Sequence, residues 1–261
     1  RSASMAAATP CAPCAARVMR LGEETLNILP VKDTVNRPAI VFGRHRIAET
    51  DAKTALRCAG LSLMTARTKD DLLHQIGLEK PDLVVVFGSK DGHESASLLT
   101  DINASRTTEK MPVLFISDAR IQSAGTHANF DRVSPDSGVF EMFLAVRALL
   151  RRERPWILQE ARAYGALQLD EARFRLVYGH ETAALGKLDL NILGPFFDAP
   201  GHVFDRRMLQ RLAYGYGRWK KGSRLIDAGV CRTRGLLMEH LGFDPIQTVR
   251  GVGYRLIGRP A

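Results

Sequence analysis

Apolar positions recur along this chain at two periods, and the way they alternate divides it into two differently built halves. From Ala39 to Arg152, short apolar runs alternate with amphipathic stretches. The runs Ala39–Phe42, Leu61–Thr65, Leu83–Phe87, Val113–Ser117 and Phe130–Val133 have the length and the β-branched or aromatic content of buried strands. Between and after them, Ile47–Ala59, Lys69–Ile76, Glu94–Asn103 and Ser137–Arg152 read as helices. In the last, Val139, Met142, Phe143, Val146, Leu149 and Leu150 form one apolar stripe at i, i+3, i+4 and i+7. Strands followed by helices predict an α/β unit, a five-stranded parallel sheet covered on its faces by helices.

The pattern changes after Arg151-Arg152-Glu153-Arg154-Pro155, where the residue before proline disfavours helix. Residues 153–164 read as a linker. Leu167–Leu169, Phe174–Tyr178 and Thr182–Leu185 then alternate like short strands. A helix follows over Leu188–Asp198, with Leu190, Leu193, Phe196 and Phe197 turned inward. Gly194-Pro195 lies inside it, and an interior proline costs about 3 kcal/mol, so a kink or break is expected there. Asp205 is suited to cap a second helix, Arg206–Tyr214. A third carries Ile226, Val230, Leu236 and Leu237 on its inner face. The chain closes on Gln247–Leu256, where Gly251-Val252-Gly253 between two apolar runs predicts a hairpin whose turn needs φ > 0. Residues 1–36, rich in Ala, Pro and Thr, keep no sustained period and read as a disordered extension, with a short helix at Met19–Glu24 at most.

Charge sharpens the division. The formal net charge is +9, from 37 Lys+Arg against 28 Asp+Glu. Residues 1–150 hold 18 basic and 17 acidic residues, a net of +1, whereas residues 151–261 hold 19 and 11, a net of +8. Clustered cations of this kind point to a polyanion partner, because they release counterions from phosphates. A merely soluble basic surface is the competing reading. No apolar run approaches the roughly 20 residues of a membrane span, and no secretory signal is evident, so a cytoplasmic protein without membrane attachment is expected. Cys11, Cys14, Cys58 and Cys231 are too scattered for a disulfide scaffold. Cys11-Ala12-Pro13-Cys14 has no second pair nearby, and the seven histidines are dispersed. Neither a metal, nor a cofactor, nor an enzymatic activity is expected.

Two segments carry a family likeness. Ser223–Leu237, with Thr248-Val249-Arg250-Gly251-Val252-Gly253-Tyr254-Arg255 after it, resembles the recognition helix and wing of OmpR/PhoB-type response regulators. The resemblance implies an α+β winged helix-turn-helix domain over residues 165–259 that binds double-stranded promoter DNA, as a homodimer on a direct repeat. Arg224, Asp227, Ala228, Cys231, Arg232 and Arg234 would lie toward DNA or the helix ends, with Arg232 and Arg234 mostly on phosphate and Asp227–Cys231 at base edges. Arg250 on the wing would reach a minor groove or its phosphates, while Tyr254 packs the hairpin on the domain. Arg218, Trp219, Lys220 and Lys221 fall on the family's transactivation loop, which contacts RNA polymerase or adjusts the recognition helix. Packing of Trp219 on its own domain stays open. Thr233 stands where a leucine is usual, and Gly235 lowers helix propensity, so a soft C-terminal half is expected.

Lys80-Pro81-Asp82-Leu83-Val84-Val85-Val86 and Phe140–Arg152 resemble a receiver domain, which the likeness places over residues 37–152 with a flavodoxin-like sheet. The phosphoacceptor position then falls on Phe87, the metal-binding acidic pair on Gly43 and Arg44, the switch residue on Ser117, and the lysine position on Ser134. Receiver phosphorylation needs a carboxylate nucleophile and Mg²⁺ on oxygen ligands. Phe87 cannot attack phosphorus and Arg44 repels a cation, so a pseudo-receiver without aspartyl phosphorylation is expected. The alternative is a shifted nucleophile at Asp82 or Asp91. Asp118–Asn129 is a turn short of the family's helix there, and Ala145 replaces an arginine common on the last helix although Asp131 is kept. Dimerisation by the family's usual face is thereby weakened, and another face stays open. The function implied is phosphorylation-independent transcriptional regulation at promoters. The rival is a protein-interaction adaptor whose winged helix does not bind DNA.

Overall fold

The computed structural model describes residues 18–21, 24–27, 37–43, 48–88, 92–104, 111–118, 129–216 and 223–258. Near the N-terminus, β1 (Val18–Leu21) and β2 (Glu24–Asn27) form an antiparallel pair in which Leu21 faces Glu24. The expected short helix at Met19–Glu24 is therefore replaced by two paired strands.

The first large unit runs β3 (Pro38–Phe42), α1 (Ala48–Cys58), β4 (Ser62–Ala66), α2 (Lys69–Glu79), β5 (Leu83–Phe87), α3 (Gly92–Asn103), β6 (Val113–Ile116), β7 (Phe130–Val133) and α4 (Gly138–Glu153). The five strands are parallel, in the order β4-β3-β5-β6-β7. Every residue of β5 and β6 is buried, as expected of strands covered on both faces. Alternate residues feed separate cores. Val41, Leu83, Val85, Leu114 and Ile116 pack with α1 and α4. Ile40, Val84, Val86, Val113 and Phe115 pack with Leu72 and Ile76 of α2 and with Leu99 and Ile102 of α3. Helix α2 extends past the expected Ile76 to Glu79, because Lys80 in the left-handed conformation (φ 46°) closes its last turn onto the Ile76 carbonyl.

The second unit begins earlier than the sequence suggests. After α4 and a 3₁₀ turn at Pro155–Ile157, residues Arg162–Tyr164 form β8, an edge strand and not part of a linker. The side-chain pattern of three residues is too short to announce a strand; pairing with β9 (Leu167–Asp170) supplies it. Strands β10 (Arg175–Tyr178) and β11 (Glu181–Ala184) complete an antiparallel sheet ordered β11-β10-β9-β8. Then follow α5 (Lys187–Asp198), β12 (Phe204–Asp205), α6 (Arg206–Tyr214), α7 (Leu225–Leu241), β13 (Ile246–Val249) and β14 (Gly253–Leu256), with a second small sheet ordered β12-β14-β13.

Pro195 does not break α5, contrary to the sequence expectation. The helix is buried from Asp189 to Asp198 and enclosed by α4, α6, α7 and β8, so packing offsets the lost backbone bond. Its neighbour Gly194 has a separate reason to be there. A Cβ at that position would lie 2.0 Å from Nε of Arg151, so only glycine lets the α4 side chain pass.

That arginine belongs to a buried ion cluster joining the two units. Arg147 of α4 pairs with Glu171 (2.7 Å) and Asp198 (2.9 Å), and Arg151 pairs with the same two carboxylates at 2.7 and 2.6 Å. Arg162 approaches Asp198 at 3.5 Å. Burial alone would raise the Asp198 carboxyl, but the charges of Arg151 and Arg147 hold it well below the usual carboxylate range. Burial, reinforced by the like charge of Arg147, pushes Arg162 down to about 10. Around this centre Arg152 donates to Asp131 (2.6 Å) and to the Leu212 carbonyl (2.9 Å), and Arg211 pairs with Glu141 at 2.7 Å. Asp131 is thus partnered by Arg152 within the chain.

Candidate nucleic-acid interface

Helix α7 is fixed by its inner face. Ile226, Gly229, Val230, Thr233, Leu237 and Leu241 are buried at helical spacing, against α5, α6 and β11. Gly229 is required at the closest approach, since a Cβ there would lie 2.8 Å from both Ile192 Cδ1 and the Tyr214 hydroxyl. Leu236, expected in the core, is only half-buried, and Thr233 takes the inner position instead. The Thr233 hydroxyl donates to Asp189 Oδ1 (2.8 Å) and lies 3.1 Å from the Gly229 carbonyl. Asp189 also accepts from the Gly186 backbone N–H at 3.2 Å, so it anchors α7 to the first turn of α5. The helix continues through Gly235 to Leu241, where Gly242 (φ 76°) caps it. Tertiary packing thus overrides the weak propensity of its C-terminal half.

Arg224, Ala228, Cys231 and Arg232 are exposed on the outer face of α7. Arg232 is 56% exposed in its side chain and leans on Asp189 at 3.0 Å, which aims it without hiding it. The small side chains of Ala228 and Cys231 leave this face shallow, a shape that allows close approach of a flat or grooved partner.

Asp227 and Arg234, by contrast, are engaged inside the domain. Asp227 accepts from Tyr254 Oη in a short hydrogen bond and from Arg206 Nε at 3.0 Å. The Tyr254 hydroxyl first, and Arg206 after it, hold the Asp227 carboxyl below its ordinary value. Burial, then Asp227, push the Tyr254 hydroxyl up. Arg234 donates to the Ile246 carbonyl (2.6 Å) and Thr248 Oγ1 (2.8 Å), pairs with Asp244 at 3.0 Å, and lies 5.7 Å from the Tyr254 ring centroid. Arg206 lies 5.2 Å from the same ring. Tyr254 therefore organises a clamp in which Arg206, Asp227 and Arg234 tie α6, α7 and the wing together. Sequence reading placed Tyr254 on the domain and Asp205 as the cap of α6, and both stand there, with Asp205 accepting from Met208 N at 2.8 Å. It missed Arg206 and Asp189, whose only sequence signal is a charge beside a helix start.

The wing is β13 and β14, with Gly251 at φ 76° in its turn and Arg250 exposed beside it. Gly253 pairs with Asp205 across the sheet, where a Cβ would fall 1.9 Å from the Phe204 carbonyl, so the second glycine is set by strand contact. Arg218, Trp219, Lys220 and Lys221, Arg44, the segment 119–128, and Cys11 with Cys14 lie outside the described residues.

At the carboxyl end of the parallel sheet, the phosphoacceptor position holds Phe87, 8% exposed. Gly43 stands opposite at φ 86°, and a Cβ there would lie 2.9 Å from the Phe87 carbonyl. Ser117 is buried, with its carbonyl accepting from Arg132 at 2.7 Å. Ser134 donates to Asp118 at 2.7 Å. Gly43, Phe87, Ser117 and Ser134 supply no carboxylate, so this set does not fit the Mg²⁺ site of receiver chemistry. Among the described residues, no cluster of three or more His, Cys, Asp or Glu is arranged to hold a metal, and no helix is long and apolar enough to cross a membrane.

A doubly wound parallel sheet followed by three helices and a β-wing defines a two-part regulatory protein built from a receiver-like unit and a winged helix. Residues 180–256 match the family model described as transcriptional regulatory protein, C terminal. The transcriptional regulatory protein AfsQ1 of Streptomyces coelicolor is 30% identical over 222 residues, covering 80% of this chain and 96% of that protein. The chain belongs to the OmpR/PhoB-type response regulators. The phosphate regulon regulator PhoB of Klebsiella pneumoniae is 25% identical over 206 residues, 77% of this chain and 89% of its own length. Among solved structures, the Klebsiella pneumoniae RstA DNA-binding domain in complex with its RstA box is 25% identical, covers 38% of this chain and 99% of its own, and has a TM-score of 0.34.

Proposed function

We propose that this regulator binds double-stranded promoter DNA sequence-specifically and acts without aspartyl phosphorylation. The observation that carries the reading is the exposed face of α7 and the wing, where Arg224, Arg232 and Arg250 stand free of the core around the shallow Ala228–Cys231 surface. A helix of this kind presents arginines to phosphates and guanine edges in the major groove, while the wing arginine reaches the adjacent backbone or minor groove. Asp227, Arg206 and Arg234 set the mutual angle of helix and wing; their role is positioning. The protein acts as a homodimer on DNA, and the loop carrying Trp219 contacts RNA polymerase.

Independence from phosphate rests on Phe87 and Gly43. Of the two alternative nucleophiles, Asp82 sits at the start of β5, paired with Arg154 at 2.9 Å and at the opposite end of the strand from Phe87, and Asp91 lies outside the described residues. The test is an acetyl phosphate and Mg²⁺ incubation followed by intact mass measurement. No hydroxylamine-sensitive gain is expected; a gain would refute this part. Gel shifts test the other part, with Arg232→Ala/Arg250→Ala expected to lose the retarded complex. An adaptor that does not read DNA would show no salt-sensitive complex with either chain.

A further inference from the structure

The rim that lost its chemistry kept a cleft. About 340 Å³ of space opens at the carboxyl ends of β3 and β5, bordered by Phe42, Lys69, Val86, Phe87, Ser95 and Leu98. Strands β3 and β5 are neighbours, yet the chain leaves β3 toward β4 on one side and β5 toward β6 on the other. This is the switch point of a doubly wound sheet, where diverging connections leave a crevice for ligands. The volume lies at the lower end of small-molecule sites.

The lining narrows the class of occupant. Phe42, Val86, Phe87 and Leu98 make it largely apolar. Ser95 is 3% exposed and lines the cleft. Its hydroxyl offers one hydrogen bond on a largely apolar wall, so a ligand atom that pairs with it gains accordingly. The ammonium of Lys69 is already paired with Asp101, and Glu94 adds an exposed carboxylate to the border. Among the described residues, the border therefore gives a phosphate or other multiply charged anion little to hold it.

We propose that this cleft binds a small planar aromatic molecule bearing one hydroxyl or carbonyl group, its ring among Phe42, Val86 and Leu98 and its polar atom on Ser95. Such a ligand takes the regulatory place of the phosphoryl group; that consequence rests on the phosphorylation-free reading above, whereas the binding itself does not. The probe is 2-naphthol, titrated into the ¹⁵N-labelled full chain and followed by backbone amide shifts. Saturable shifts centred on residues 86–88 and 94–98 are expected. Ser95→Ala should weaken binding about fivefold through loss of one hydrogen bond. Ser97→Trp, which fills the cleft from an exposed position, should abolish the shifts while distant amides stay in place. Non-saturable shifts, shifts spread over the chain, or undiminished binding in either variant would overturn the proposal. Intact mass of the same samples after acetyl phosphate treatment separates the two claims: a phosphoryl adduct refutes the phosphorylation-free reading, and the titration alone decides the ligand site.

Discussion

Two polar centres of this molecule have moved in opposite directions. The rim at the ends of β3 and β5, where receiver relatives would gather carboxylates, holds Gly43 and Phe87. The seam between α4 and the winged-helix unit, where a loose connection would suffice, holds five charged side chains, all nearly inaccessible: Arg147, Arg151, Arg162, Glu171 and Asp198. One region is largely apolar beside a cleft; the other gathers charge where the side chains are buried. Buried ion pairs are a poor source of net stability, because desolvation cancels much of their attraction, but they are unforgiving of change and so fix geometry. The ion cluster ties α4 to Glu171 and Asp198 of the second unit, and α4 also packs on α5 and α6.

The comparison breaks most visibly at the seam. Asp198→Ala leaves Arg147 and Arg151 with one carboxylate between them, and is expected to cost about 3–5 kcal/mol in chemical denaturation. Phe87→Ala, at the rim, removes a buried ring from an apolar core and should cost about 3 kcal/mol. Phe87→Asp is expected to stay unphosphorylated by acetyl phosphate, since Gly43 brings no metal ligand. Acid sharpens the contrast. The folded-state Asp198 carboxyl is depressed, so its contribution is complete above the unfolded value near 3.9 and is lost as pH falls from there toward the folded value. Melting temperature should therefore drop more steeply in acid for the native chain than for Asp198→Asn. Thr233→Val, which removes the hydroxyl on Asp189, should cost about 1 kcal/mol. Smallest is Arg162→Met: the third guanidinium, held only at 3.5 Å, is surplus to two carboxylates, and its loss should change stability by less than about 1 kcal/mol.

Local patterns announced nearly all of the secondary structure, because the strands of the parallel sheet are dense in Val, Leu, Ile and Phe and the helices carry clean stripes. The wing was legible through Gly251, and the cap of α6 through Asp205. What sequence concealed was contact between distant residues. Gly194 looked like a helix defect, yet it makes room for Arg151, 43 positions earlier in the chain. Nothing in the local sequence marks Arg147, Arg151, Glu171 and Asp198 as buried, since a buried arginine and an exposed one look alike there. Asp227 and Arg234 were assigned toward DNA or the helix ends by helical position, and both have partners within the domain, Tyr254 for Asp227 and the Ile246 carbonyl for Arg234. Thr233 looked like a flaw in the recognition helix and is instead a buried hydrogen-bonding residue at its centre.

The central claim is phosphate-independent reading of DNA, and sequencing of genomic fragments retained by the full-length protein tests it most directly. The experiment compares untreated protein, protein treated with acetyl phosphate and Mg²⁺, and the Arg232→Ala/Arg250→Ala variant. The account predicts the same promoter fragments and the same repeated motif with and without acetyl phosphate, and their loss in the variant. Fragments that appear only after treatment, or that persist in the variant, would contradict it.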